Sequence, residues 1–227
     1  MCIIAIKQKG TKFPSIQRVK TMCENNSDGF AIVWHHPSVG CKVYRTLSQD
    51  KFIQEYTKIM QLGKKKTSLF IHARIKTHGT MRLENCHGWV SEECGLAFAH
   101  NGILSGVANR DDMTDSETFF RDIFTPAFMY GGWEGAEKAI KAIIGTSKFV
   151  FMDGFGNIAY YGQYLQGDEG VLYSNSTYEP YYYPYRTIKK STWNGNKSAN
   201  EPTYTGDVWD EEDRKFDCNL YNNYLFD

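Results

Sequence analysis

The feature that most constrains this chain stands at its start. Met1-Cys2-Ile3-Ile4-Ala5-Ile6 places a cysteine directly behind a methionine and opens a short, continuous apolar run. Residues 2–7 read as a buried strand, since no polar face interrupts them. The cysteine adds chemistry to that strand. If Met1 is removed, Cys2 carries a thiol and a free α-amine on one residue, so a nucleophile arrives with its own candidate base. Ordinary values of about 8.5 for a thiol and about 7.7–8.0 for an α-amine are close enough for the amine to relay the thiol proton. The plain alternative is a Cys2 that packs as a small apolar residue in a first strand.

The rest of the chain reads as alternating helices and strands. After a loop at residues 9–14, Ile16, Val19, Met22 and Cys23 recur at helical spacing and predict an amphipathic helix that ends in Asn25-Asn26-Ser27-Asp28-Gly29. Residues 30–34 form a continuous apolar strand, with His35-His36-Pro37 as the turn that closes it. Residues 41–44 read as the return strand of a hairpin. Ser48 then caps a helix carrying Phe52, Ile53, Tyr56, Ile59 and Met60 on one face, and Gly63 ends it. Residues 68–75 and 95–100 read as strands that deliver polar residues at or just beyond their C-terminal ends. Thr114-x-x-Glu117 fits a capping box, which starts a helix at Asp115 with Phe119, Phe120, Ile123 and Phe124 on its buried side. A second helix is predicted near residues 135–144. Residues 148–152 and 158–161 flank Asp153-Gly154-Phe155-Gly156-Asn157, a hairpin signal rather than a phosphate-binding loop, because no helix follows the glycines. Residues 171–174 read as the last core strand. Periodicity alone implies an α+β fold.

Composition narrows the classes of function. Twenty-six basic and twenty-six acidic residues leave no net charge to attract nucleic acid or an anionic membrane surface, so neither is expected as a partner. No stretch approaches the roughly 20 apolar residues of a membrane span, and the N-terminal run is too short for a signal-peptide core, so a cytoplasmic location is expected. Cys2, Cys23, Cys41, Cys86, Cys94 and Cys218 form no Cys-x-x-Cys pair, which favours reduced thiols and no metal site. No cofactor is called for. Lys64-Lys65-Lys66 reads as a solvated connection. The length suits one sizeable domain over residues 1–178; beyond it, residues 179–227 turn Tyr- and Pro-rich and then acidic, as a peripheral extension would.

Four stretches then combine with Cys2: Phe70-Ile71-His72-Ala73-Arg74-Ile75-Lys76-Thr77-His78-Gly79, Glu84-Asn85-Cys86-His87, Phe98-Ala99-His100-Asn101-Gly102 and Asp115-Ser116-Glu117. In this order and spacing the chain resembles the class II glutamine amidotransferases, N-terminal-nucleophile hydrolases whose glutaminase domain begins with the catalytic cysteine. The resemblance covers roughly residues 2–125 by motif and implies a four-layer αββα sandwich. It implies that Cys2 attacks the side-chain amide carbon of glutamine, releases ammonia and leaves a thioester that water hydrolyses to glutamate. Asn101 and Gly102 match the oxyanion-hole pair, one side-chain amide and one backbone N–H. Taken alone, Asn101-Gly102 equally suits a tight hairpin turn.

By the same resemblance, Arg74 matches the cation that holds the substrate α-carboxylate, and Asp115 the anion that holds its ammonium. Thr77, His78 and Gly79 continue the substrate-binding loop, and His87 is site-shaping rather than a catalytic base. The chain departs from the family in carrying Ile3 where glycine usually follows the nucleophile, Asn26-Ser27-Asp28-Gly29 for an Arg-Gly-x-Asp signature, and Ile75 where the glucosamine-phosphate type has tryptophan. Asp28-Gly29-Phe30-Ala31 and Leu83-Glu84-Asn85-Cys86-His87 look closer to small stand-alone members. Three readings therefore stand side by side: a glutaminase that hands ammonia to a separate synthetase, a hydrolase of a larger γ-glutamyl amide, and a retired domain that only binds.

Overall fold

The computed structural model describes residues 1–63, 66–75, 82–107, 113–167 and 170–180. In chain order the elements are β1 (Ile3–Lys7), α1 (Ile16–Asn25), β2 (Phe30–His36), β3 (Gly40–Thr46), α2 (Gln49–Leu62), β4 (Leu69–Ala73), a 3₁₀ turn (Leu83–Asn85), β5 (Trp89–Ser91) and β6 (Leu96–Asn101). They continue with α3 (Asp115–Thr118), a π-helical segment (Phe119–Phe124), α4 (Thr125–Ile143), β7 (Lys148–Met152), β8 (Ile158–Tyr161), β9 (Leu165–Gln166) and β10 (Leu172–Tyr173). The strands make two antiparallel sheets, one ordered β3-β2-β4-β1-β10-β9 and the other β5-β6-β7-β8.

The helices begin where side chains satisfy their free N–H groups. The hydroxyls of Ser15, Ser48 and Thr114 accept from the backbone N–H of Arg18, Lys51 and Glu117, capping α1, α2 and α3. Val19, Met22 and Cys23 of α1 and Phe52, Tyr56 and Ile59 of α2 pack against Ile3, Ala5, Ile32 and Ile71 on the outer face of the six-stranded sheet. Alternate residues of the same strands face inward. Ile4, Ile6, Val33 and Phe70 meet Ala97, Ala99, Val150 and Met152 of the second sheet. The far face of that sheet is aromatic, with Phe98, Phe149 and Phe151 against Phe119, Phe120 and Phe124. The result is a four-layer αββα sandwich, as the resemblance implied.

Two local expectations need correction. His35 and His36 are not turn residues; β2 runs on to His36, with His35 opposite Cys41 and His36 opposite Gly40, because the backbone finds partners in β3 to the very end of the hairpin. The helix expected near residues 135–144 has an unexpected helical stretch before it: α4 begins at Thr125 and reaches the expected part across a kink at Gly132, where φ is 56°. The Asp153–Asn157 hairpin forms as expected, its Asp153 carboxylate accepting from the N–H groups of Phe155 and Asn157. Cys2, Cys23, Cys41, Cys86 and Cys94 are free thiols. The basic run at residues 64–66 lies partly, and Cys218 wholly, outside the described residues.

Candidate active site

Strand register decides what stands beside Cys2. Ile3 pairs with Ala73, so the residues one step beyond them, Cys2 and Arg74, emerge together at the same end of β1 and β4. The Cys2 Sγ lies 3.7 Å from the Ile75 carbonyl, to which the thiol donates. Burial pushes the Cys2 thiol above its ordinary value, with the positive charges of the N-terminus and Arg74 acting the other way. The thiol therefore stays protonated until a base removes its proton. Arg74 is itself buried, its backbone held by Gly29 and Asp28 at 2.8 Å each.

From the second sheet, β6 ends at Asn101, which is buried and donates its Nδ2 to the Ser174 Oγ at 2.8 Å. Asn101-Gly102 is not the two-residue hairpin turn that its sequence also allowed, because β7, the strand paired with Asn101, begins only at Lys148. Gly102 has φ +146°, and a Cβ built there would fall 2.2 Å from the Ser147 Oγ and 2.8 Å from its Cβ. Glycine is thus demanded both by the backbone conformation and by close approach. Gly102→Ala is expected to destabilise the protein by about 1–3 kcal/mol, read as a lowered urea midpoint at unchanged slope. A midpoint equal to the parent's would show that the Ser147 contact yields freely.

Asp115, the first residue of α3, is held from two sides. Its Oδ2 accepts from the Leu104 N–H at 2.8 Å, and its Oδ1 from the N–H and hydroxyl of Ser116 at 2.7 and 3.0 Å. Since the Ser116 proton goes to the carboxylate, the Ser116 oxygen accepts from the His100 Nδ1, 2.7 Å away. The His87 Nδ1 lies 2.6 Å from the His100 carbonyl, which only accepts, and 3.3 Å from the His100 backbone N–H, which only donates; the shorter contact assigns the proton to this nitrogen. The His87 ring stacks on His72 with centroids 4.1 Å apart and lies tilted against Trp89 at 4.5 Å. Burial pushes His87 and His100 down to about 3, and His72 well below the usual range. All three rings are neutral at physiological pH. This suits a shaping part for His87 and argues against a general base.

The arrangement gathers a protonated thiol, a buried guanidinium, a strand-end carboxamide beside a glycine N–H, and a carboxylate at a helix start. The charge of Arg74 reaches both Cys2 and His87, and that of Asp115 reaches His87. Such a set can hold a zwitterionic amino acid and present donors to an oxyanion at its far end. Thr77, His78 and Gly79 lie outside the described residues. Sequence reading passed over Ser174, Asn175, His100 and Ser116 as members of the site. Ser174 joins Asn101 to Ile4, and the Asn175 Nδ2 donates to the Cys2 carbonyl at 2.7 Å. Their one visible signal is position, two small polar residues directly after the last core strand. Among the described residues no group of three or more His, Cys, Asp or Glu side chains could hold a metal ion, and no helix is long and apolar enough to cross a membrane.

Solved structures share this architecture. The allosteric regulatory enzyme of purine biosynthesis matches with a TM-score of 0.53 at 18% identity, over 77% of this chain and 42% of that one. Glutamine phosphoribosylpyrophosphate amidotransferase from B. subtilis, complexed with ADP and GMP, matches with a TM-score of 0.50 at 17% identity, again over 77% and 42%. This chain has the class II glutamine amidotransferase fold. The likeness is one of fold, and the chain spans less than half the length of these two enzymes. A glutamine aminotransferase class-II domain protein from Silicibacter pomeroyi is matched at 16% identity and a TM-score of 0.43, over 76% of this chain and 87% of that one. No protein-family model and no curated protein matches the sequence. Within this fold, Cys2 directly precedes β1, β4 leads into Arg74 and β6 ends in Asn101.

Proposed function

We propose that the protein hydrolyses the side-chain amide of L-glutamine through a Cys2 thioester. The observation that carries the reading is the register of β1 on β4, which sets Cys2 beside the buried Arg74, with Asn101 tied to the same strand through Ser174. Removal of Met1, which is exposed, frees the α-amine of Cys2. That amine takes the thiol proton as sulfur attacks the amide carbon. The developing oxyanion is met by the N–H of Asn101 not used by Ser174 and by the Gly102 N–H. The tetrahedral intermediate collapses, the amine returns its proton to the leaving nitrogen, and ammonia departs. Water, deprotonated by the same amine, attacks the thioester through a second oxyanion, and glutamate leaves with the thiol restored. Throughout, Arg74 holds the α-carboxylate, Asp115 holds the α-ammonium, and His87 shapes the pocket; by the resemblance, Thr77, His78 and Gly79 bind the substrate. The ammonia is then available to an acceptor.

A pocket built on Arg74 and Asp115 demands a free amino-acid end, because an analogue that leaves either charge unpaired loses its binding. Glutamine with an amidated α-carboxylate is therefore expected to turn over at least about 10²-fold more slowly in kcat/KM than glutamine. The measurement is ammonia or amine release from glutamine, α-amidated glutamine and γ-glutamyl dipeptides. Equal rates on the first two remove Arg74 from its assigned part. Preference for the dipeptides makes the protein a γ-glutamyl hydrolase, and no release from any of them leaves only a binding domain.

A further inference from the structure

The hydroxyl of Ser174 sits where the two sheets meet at the site. Its oxygen accepts from the backbone N–H of Ile4 at 2.8 Å, in the strand that follows the nucleophile, and from the Nδ2 of Asn101 at 2.8 Å, at the end of a strand in the other sheet. Both lone pairs of the oxygen are thereby engaged. The serine cannot drift, since its own N–H donates to the Ile4 carbonyl at 2.9 Å and it is buried. The next residue repeats the pattern. Asn175 donates to the Cys2 carbonyl while its Oδ1 accepts from the N–H and hydroxyl of Thr177 at 3.0 and 2.8 Å, so its amide has one orientation.

We propose that Ser174 is a positioning residue that sets the direction in which the Asn101 amide donates. A carboxamide is planar, so fixing one N–H on Ser174 fixes the line of the other. The Asn101 Oδ1 is buried without a hydrogen-bond partner among the described residues, so nothing described on that side holds the amide in place. Ser174 alone of the described partners does so, and the same atom anchors the strand bearing Cys2. Nucleophile and oxyanion donor thus share one reference point. A loose amide costs transition-state stabilisation and leaves substrate binding to Arg74 and Asp115 untouched. This inference rests on the glutaminase reading for its kinetic consequence and on geometry alone for the orientation of Asn101.

The experiment has a kinetic arm and a spectroscopic arm. Ser174→Ala is expected to lower kcat for glutamine about 10–100-fold with KM changed less than about threefold, and Ser174→Thr, which keeps the hydroxyl, to restore most of it. In an Asn101→Ala background Ser174→Ala should cost less than about threefold, because the group it positions is gone. Additive losses in the double variant, or a parental kcat in Ser174→Ala, overturn the proposal. Independently of activity, the side-chain amide protons of Asn101, assigned by NMR from their loss in Asn101→Ala, should shift and lose exchange protection in Ser174→Ala. Unchanged signals overturn the proposal even if the parent hydrolyses no glutamine, whereas changed signals without any parental activity support it and refute the glutaminase reading. Should Ser174→Ala not fold, Ser174→Cys, a weaker acceptor of similar volume, takes its place in both arms.

Discussion

Cys2→Ala brings glutamine hydrolysis to background, a loss on the order of 10⁵–10⁶ in kcat if removal of a lone nucleophile behaves as it does in other covalent hydrolases. The fold survives the change. Cys2 is half-buried, precedes β1 rather than lying in it, and its sulfur makes one long contact to the Ile75 carbonyl, so stability should move by less than about 1 kcal/mol. The raised thiol sharpens the requirement for the α-amine, because a protonated sulfur needs a base within reach. Active protein should accordingly show an intact mass lacking Met1. Steady ammonia release from Cys2→Ala, or from protein that keeps Met1, would end the assignment.

The second large effect belongs to the oxyanion. Asn101→Ala removes one of two donors and should lower kcat and kcat/KM together by about 10²–10³, equivalent to about 2.7–4 kcal/mol, with KM nearly unchanged. A common loss in both constants marks an interaction made only in the transition state. The structural cost is small by comparison, because the Ser174 oxygen keeps its bond from Ile4 and the Asn101 Oδ1 has no described partner to lose. A parental kcat in this variant would leave Gly102 as the sole donor and reassign Asn101 to structure.

Local chemistry was legible wherever a side chain acts on its own segment. Ser48, Thr114 and Gly63 mark helix ends because a hydroxyl caps, or a glycine stops, the helix that contains it. The Asp153–Asn157 hairpin follows from a carboxylate bonding the turn beside it. The π-helical segment at Phe119–Phe124 was not legible. Phe119, Phe120 and Phe124 suit the buried side of an ordinary helix equally well, and the turn that forms is the one meeting Phe98, Phe149 and Phe151 from another layer. His35 and His36 likewise look like turn residues until β3 supplies their partners.

What the sequence determined by itself is the set of reactive groups and the order in which the chain delivers them: a cysteine at position 2, an arginine after one apolar strand, a carboxamide-glycine pair after another, an aspartate at a helix start. Those depend on residue type and on the period of the neighbouring strand or helix. Their juxtaposition belongs to tertiary structure. Cys2 meets Arg74 because Ile3 pairs with Ala73 rather than with a neighbour one residue away, which would turn each side chain to the opposite face of the sheet. Asn101 meets the nucleophile strand through Ser174, a residue whose type predicts nothing until the last core strand lies antiparallel to the first, across a separation of 170 residues.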